Sequence, residues 1–270
     1  MKKIMNFHQA KILFATLAVT AVLAPASASA IELSALAGGT FTFNYDSAAL
    51  GQAAYGNVYG NNGYYLANFW NTAASDPSNP ANTASYFTHN GGTTQIPAIN
   101  LVQDISPTGP NPSNQPAGRN VQGTSPTFAI DSTNLAGVTG TQLGITGIQG
   151  FYAQNFGSHV TAGDFSLAYD PSETASGWYI QNNFSFPLIV YDLANLVLTV
   201  TDANDWKLSG DLLLASGYAG MIYGQTGADV GTFNLGVGSY AVSAVPVPGA
   251  AWLLGSALAG LIGFKRRKAI

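Results

Sequence analysis

The sequence contains no cysteine, so a disulfide framework and a thiol nucleophile are both excluded. Charged residues make up 8% of the 270 residues, against about 25% in typical globular domains. Glycine, asparagine, serine and threonine take their place. Long surface helices depend on Glu, Lys and Arg, so this composition disfavours them and favours strands joined by turns around a packed core.

Positive charge is nearly absent from the middle of the chain. Of the nine lysines and arginines, only Arg119 and Lys207 lie between residues 31 and 244, whereas all thirteen acidic residues lie there. The net charge of that stretch is therefore −11, although the whole chain carries −4. Two cations do not neutralise a row of phosphates, which argues against nucleic-acid binding. The same charge repels anionic membranes and polyanionic sugars unless a divalent cation bridges them.

Metal-ligand spacings are also missing. The middle of the chain has two histidines, His89 and His159, which lie seventy residues apart without a nearby histidine partner. Asp202, Asn204 and Asp205 resemble part of a calcium-binding loop, but a tryptophan takes the place of the third oxygen ligand. We therefore expect a β-turn there, and neither a metal nor a cofactor in the protein.

Catalytic motifs are equally scarce. The nucleophile elbow of hydrolases and the phosphate-binding glycine loop do not occur. A glycosidase pair among the acidic residues, whose two glutamates are Glu32 and Glu173, stays open as an alternative to solvated turn residues, because spacing alone does not reveal such a pair. We expect a non-enzymatic protein with no catalytic residues.

Alternation of apolar and polar residues predicts many short strands in residues 31–244. In residues 40–45 it places Phe41, Phe43 and Tyr45 on one face. The other predicted strands cover residues 127–131, 142–152, 164–169, 178–180, 184–191, 195–201, 206–214 and 230–237. Their regular spacing predicts an all-β ectodomain, built as an antiparallel β-sandwich or jelly roll.

Three segments depart from this pattern. Residues 71–95 are polar and repetitive, and residues 106–126 contain five prolines that prevent a strand ladder. Both are predicted to be long surface loops; alternatively, the second marks a boundary between a small N-terminal part and the main sandwich. Residues 47–55 are predicted to form a short helix, capped by Asp46 or Ser47.

Residues 55–70 combine ring side chains with asparagines, as a sugar site does. Rings cover the C–H faces of sugars and amides bind their hydroxyls, so Tyr64, Tyr65 and Trp70 are candidate glycan contacts. The alternative is a hairpin that turns at Asn62-Gly63, whose rings pack the core or pair across strands. A secreted carbohydrate-binding module is therefore the second functional hypothesis.

Residues 1–30 have the three parts of a secretory signal peptide. Lys2, Lys3 and Lys11 supply the basic region, and residues 12–23 are apolar. Ala28 and Ala30 then form a small-x-small cleavage site for signal peptidase. The mature protein is expected to begin at about residue 31.

Residues 245–270 form a second three-part signal. Val245, Pro246, Val247 and Pro248 break any preceding element, residues 249–264 are apolar, and a basic tail closes the segment, consisting of Lys265, Arg266, Arg267 and Lys268. The apolar run predicts a transmembrane helix, and the basic tail is expected to stay cytoplasmic. Residues 250–264 span only about 22 Å as a helix, against about 30 Å of hydrocarbon. A processed signal is therefore favoured over a permanent tail anchor, which stays as the alternative.

This C-terminal arrangement closely resembles the PEP-CTERM sorting signal of Gram-negative bacteria, in its Val-Pro-x-Pro variant. The match runs from Val245 through Trp252-Leu253-Leu254-Gly255-Ser256 to the basic tail, and Val247 stands where the namesake motif has glutamate. The resemblance implies an inner-membrane-anchored precursor that an exosortase cleaves near the proline motif. It also implies a final location at the cell surface or in the extracellular matrix, and an association with exopolysaccharide and biofilm.

Overall fold

The structure is a computed structural model that describes residues 30–54, 63–71, 93–113, 115 and 119–242. The predicted signal peptide up to residue 29, which includes Ala28, lies outside the described residues, as do His89 and most of the predicted loop 71–95. The entire C-terminal signal lies outside them as well, from Val245 to the basic tail. None of the helices in the described ranges is long and apolar enough to cross a membrane.

The described residues form fourteen strands and two short α-helices. The strands are β1 (Glu32–Ser34), β2 (Gly39–Tyr45), β3 (Tyr64–Trp70), β4 (Leu101–Asp104), β5 (Ala129–Asp131), β6 (Asn134–Thr139), β7 (Leu143–Gly144), β8 (Ile148–Ala153), β9 (Ser158–Gly163), β10 (Ser166–Tyr169), β11 (Trp178–Asn182), β12 (Leu188–Asp202), β13 (Asp205–Leu214) and β14 (Asp229–Val237). The helices are α1 (Ser47–Ala53) and α2 (Ser216–Met221). The ladders between these strands are antiparallel, which confirms the predicted all-β class.

Eight strands form one large, curled sheet in the order β4-β2-β14-β13-β12-β11-β10-β7. Just beyond its two end strands, Ile105 pairs with Ile145 in an isolated bridge. On either side of this bridge, the Ser106 N–H donates to the Gly144 carbonyl at 2.8 Å and the Thr146 N–H donates to the Asp104 carbonyl at 2.9 Å. The first and last strands of the sheet are therefore held together by hydrogen bonds.

The inner face of the large sheet is filled with rings. As the alternation predicts, Phe41, Phe43 and Tyr45 of β2 are buried. Phe41 stacks on Phe233 of β14 at 5.3 Å between ring centroids, and Phe43 meets Phe165, next to β10, at 5.2 Å. Since β2 and β10 lie near opposite ends of the sheet order, the curl brings both ends around one aromatic core.

Two smaller sheets complete the described fold, with strand orders β3-β8-β9 and β1-β5-β6. Phe151 of β8 meets Tyr45 of the large sheet edge-on, with 5.6 Å between ring centroids. The other small sheet is joined to the large one by indole N–H groups. Trp178 donates to the Leu135 carbonyl and Trp206 donates to the Ser34 carbonyl, both at 3.0 Å.

Most predicted strands have counterparts in the structure, but two predictions are wrong in detail. The predicted strand 142–152 is divided into β7 and β8, which belong to different sheets, and Gly147, with φ 113°, lies between them. Residues 184–191 and 195–201 were expected to form two strands, whereas residues 188–202 are one continuous strand, β12. The ladder with β13 shifts register between Ala194 and Val197. Asn195 has φ 49° there, a left-handed conformation that asparagine tolerates better than most residues. Asn195, a residue type common in turns, is thus accommodated in a β-bulge, and the strand continues beyond it.

Residues 106–126 are irregular where they are described, as their prolines predict. Thr108 and Thr124 form an isolated parallel bridge across the segment. The Thr124 hydroxyl donates to the Ser106 carbonyl at 2.7 Å, so the two ends of the segment are tied to each other.

The short helix α1 is capped by Asp46, one of the two predicted capping residues. Its Oδ1 accepts hydrogen bonds from the Ala48 and Ala49 N–H groups at 2.9 and 3.0 Å. These N–H groups have no partners within the helix, so Asp46→Ala is expected to lower the free energy of unfolding by about 1 kcal/mol. Urea denaturation measures this change. Asp46→Asn keeps an acceptor oxygen and should retain most of the stability; an equal loss in both variants would contradict the capping role.

Candidate ligand-binding cleft

Tyr64, the first of the three predicted glycan contacts, is a core residue. Its side chain has no exposed surface, and its ring stacks on Phe151 with 5.2 Å between centroids. Its hydroxyl forms a hydrogen bond with the hydroxyl of Tyr218, next to the inner face of the large sheet. Tyr64 therefore has no surface with which to touch a glycan, and packing of the core accounts for this ring.

Tyr65 and Trp70 are both on the opposite, outer face of the β3-β8-β9 sheet. The ladder between β3 and β8 shifts register between Leu66 and Asn68, so residues 65 and 70 share a face despite their odd spacing. Tyr65 is half-buried. The two residues pair with positions four residues apart on β8, which separates them by about 13 Å along the strand.

Trp70 belongs to a packed cluster of its own. It contacts Ile148 and Phe184, separately from the main core. The Arg119 guanidinium carbon lies 5.4 Å from the centroid of its ring, which is cation–π distance. The structure therefore does not bring Trp70 together with Tyr65 in one site.

Tyr65 instead meets the ring of Tyr152, which was not among the predicted glycan contacts. It pairs across the ladder with Tyr152 of β8, which pairs in turn with His159 of β9. The ring centroids are 5.6 Å apart in each pair, with interplanar angles of 35° for the two tyrosines and 74° for Tyr152 and His159. A row of three rings thus crosses the outer face of this sheet.

An open cleft of about 430 Å³ lies beside the two tyrosines. It is lined by Tyr65, Thr93, Gln95, Tyr152 and Gln154. The two glutamines are exposed, and the Tyr65 hydroxyl donates to the Thr93 carbonyl at 2.6 Å. Burial and the neighbouring Tyr152 raise the pKa of Tyr65, which keeps this hydroxyl protonated as a donor at neutral pH.

The described lining of the cleft has groups that suit ligand binding. None of its five described residues is acidic, so these residues supply no carboxylate pair for glycosidic cleavage. Two rings and two amides can bind a ligand that has both apolar faces and hydroxyl groups. Tyr152 and Gln154 were missed because only the register between β3 and β8 places them beside Tyr65.

The predicted calcium-like segment is the turn between β12 and β13. The Asp202 carboxylate accepts from the Asn204 N–H at 2.8 Å. Asp205 Oδ1 accepts from the N–H and the hydroxyl of Ser239 at 2.8 and 2.7 Å. Within the described ranges there is no group of three or more His, Asp and Glu placed to hold a metal ion.

Buried tyrosine hydroxyls lie below the cleft, on the other side of β8. The Tyr45 hydroxyl donates to Gln149 Oε1 at 2.5 Å, and the ring of Tyr45 lies 5.8 Å from that of Tyr191. Burial, followed by the charges of Tyr191 and Tyr218, raises the pKa of Tyr45 well above its usual value. Burial also raises the pKa of Tyr191 strongly. Both hydroxyls are therefore neutral throughout the physiological range.

An ion pair fixes residues 119–120 against the turn that precedes β10. Arg119 Nη2 and Nε donate to Asp164 Oδ1 and Oδ2 at 2.6 and 2.8 Å, and the Asn120 N–H donates to Oδ2 at 2.9 Å. The two side chains are 6% and 0% exposed, respectively. Arg119, one of the two basic residues between residues 31 and 244, is thus paired with a carboxylate inside the protein.

Comparison of the chain with protein-family models, with curated proteins and with solved structures finds no match.

Proposed function

We propose that this chain is an exported, non-enzymatic protein of the cell surface or extracellular matrix, sorted by its C-terminal signal. The observation that carries the proposal is the motif Val245-Pro246-Val247-Pro248, followed by an apolar run and the basic tail. The signal peptide at the other end of the chain supports export.

The proposed route has two cleavages. Signal peptidase cuts after Ala30, and residues 249–264 hold the precursor in the inner membrane with the basic tail in the cytoplasm. An exosortase then cuts near Pro246 and releases the acidic domain to the surface of a Gram-negative bacterium, where extracellular polysaccharide is its partner.

We propose that the delivered domain has a sandwich-like architecture. The inner face of the curled sheet forms one layer and the β3-β8-β9 sheet forms part of the other. The contact between Tyr45 and Phe151 supports this arrangement, because it joins the two sheets through their buried faces.

The intact mass of the protein recovered from the cell surface tests the sorting proposal. We expect a chain that begins near Ile31 and ends near Pro246. A chain that retains residues 249–268 would instead be a tail-anchored protein and would overturn the proposal. In a Pro246→Ala/Pro248→Ala variant we expect the uncut precursor to accumulate in the inner membrane, whereas Pro126→Ala, in a different segment, serves as the matched control.

Carbohydrate binding is the second candidate function, and one observation favours it. Tyr65 and Tyr152 form a ring pair beside two exposed glutamines. The two functions are compatible, because a released matrix protein needs a contact that retains it among the polysaccharide.

A further inference from the structure

We infer that the cleft beside Tyr65 and Tyr152 binds a segment of uncharged polysaccharide. The inference rests on the proposed function, since it takes extracellular polysaccharide as the partner, and it identifies the site and the chemical class of the sugar. Tyr152, Gln95 and Gln154 are the residues that the structure adds to Tyr65 for this role.

The two tyrosine rings supply an apolar platform. Their centroids lie 5.6 Å apart, their planes differ by 35°, and both rings line the cleft. Flat rings of this kind cover the C–H faces of sugar rings, which removes apolar surface from water without burying the sugar hydroxyls. A ligand with one apolar face and a polar rim suits this platform.

The position of the Tyr65 ring is set before any ligand arrives. Its hydroxyl donates to the Thr93 carbonyl at 2.6 Å, and its strand is paired directly with that of Tyr152. A side chain that is already held loses little conformational freedom on binding, so more of the contact energy appears as affinity.

The exposed amides supply the polar part of the site. Gln95 and Gln154 line the same cleft as the two rings. Each amide offers both a donor and an acceptor, which matches a sugar hydroxyl that can donate and accept. Their exposure means that a ligand can reach them without any change in the fold.

Charge selects the class of polysaccharide. The five described residues that line the cleft are all neutral. The stretch between the two signals carries thirteen acidic and two basic residues, and one of those two, Arg119, is paired with Asp164 inside the protein. An anionic polymer would therefore meet long-range repulsion with no cation in the cleft to offset it, whereas a neutral polymer would not.

Isothermal titration calorimetry with hexasaccharides of β-1,4-glucan, α-1,4-glucan and β-1,4-mannan tests the inference, with hexagalacturonate as the anionic comparison. The protein is used in whichever form cells produce it, either processed or as the full chain in detergent. We expect at least one neutral hexasaccharide to bind, more tightly than the anionic one. Failure of all three neutral sugars, or equal or tighter binding of hexagalacturonate, overturns the inference.

Substitutions then locate the site. We expect Tyr65→Ala and Tyr152→Ala each to weaken binding at least tenfold, and Gln154→Ala to weaken it about threefold. Tyr65→Phe, which keeps the ring, should stay within threefold of the native affinity. The matched control is Phe186→Ala, which removes a ring that is 50% exposed outside the cleft. Native affinity in both tyrosine-to-alanine variants overturns the inference.

Gln154→Ala keeps the test decisive if the tyrosine variants do not fold, because Gln154 is exposed and its loss does not disturb the ring packing. Unchanged binding in that folded variant then counts against the site. The outcomes also separate the two proposals. If the protein is processed but binds no neutral sugar, the inference about the cleft is overturned and the sorting proposal stands. If the chain is not processed but binds a neutral sugar, the sorting proposal is overturned and the inference about the cleft stands.

Discussion

Arg119→Ala is expected to lower the free energy of unfolding by about 3 to 5 kcal/mol, because it leaves the Asp164 carboxylate buried without its counter-charge. The native pair is bidentate, with donor–acceptor distances of 2.6 and 2.8 Å, and the Asp164 side chain has no exposed surface. Water therefore does not replace the lost guanidinium without local opening of the fold.

Urea denaturation at neutral pH measures this effect. Lys207→Ala is the matched control, since Lys207 is half-exposed on β13 and its removal should change stability by less than about 0.5 kcal/mol. A loss below about 1 kcal/mol for Arg119→Ala would contradict a buried, uncompensated charge.

The double variant Arg119→Met/Asp164→Asn should recover much of the stability lost in Arg119→Ala. It removes both charges, and replacing a buried ion pair with neutral groups is often close to neutral in stability. Asparagine also tolerates the φ of 46° found at position 164. If the double variant is no more stable than Arg119→Ala, the ion pair stabilises the fold by more than the compensation of one buried charge by the other.

Stability is expected to fall steeply above about pH 10, by roughly 2.7 kcal/mol per pH unit, owing to Tyr45 and Tyr191. Burial raises the pKa of both residues in the folded protein. Their stabilising effect is therefore fully present below the unfolded pKa of about 10 and is lost as the pH rises toward the folded pKa. In that window the unfolded chain has released two protons that the folded chain still holds.

Urea denaturation at several pH values between 8 and 11.5 gives the slope, and absorbance at 295 nm reports tyrosinate. Tyr191→Phe removes one of the two groups and should reduce the slope by about 1.4 kcal/mol per pH unit. Replacing the exposed Tyr223 by phenylalanine serves as the comparison. If all the tyrosines ionise while the protein stays folded, the two hydroxyls are more accessible than the structure indicates.

Local patterns were enough to predict much of the fold. The buried face of β2 follows from the alternation of Phe41, Phe43 and Tyr45, and the hairpin of β12 and β13 follows from a turn-forming sequence between two β-rich runs. Each of these features depends on residues that are close in the chain, so the sequence pattern predicts it without knowledge of the tertiary structure.

The closure of the sheet and the cleft could not be predicted in this way. Ile105 meets Ile145, and Tyr65 meets Tyr152, only because distant segments pair in one register. A shift of one residue would turn every side chain of β3 to the other face. Tyr64 and Tyr65 were both candidate glycan contacts although they lie on opposite faces, and the bulge between Leu66 and Asn68 puts Trp70 on the same face as Tyr65.

The hydrogen bonds that join the ends of the large sheet also affect how neighbouring copies can meet. A strand at the end of an open sheet presents unpaired N–H and C=O groups, which can recruit a strand from another molecule and start aggregation. Here Ser106 and Thr146 donate across the closure, and the Asn71 amide donates to the Val102 carbonyl of β4 at 2.7 Å. If the protein is exported as proposed, these bonds protect it against self-association through the ends of its largest sheet in a place that cytoplasmic chaperones do not reach.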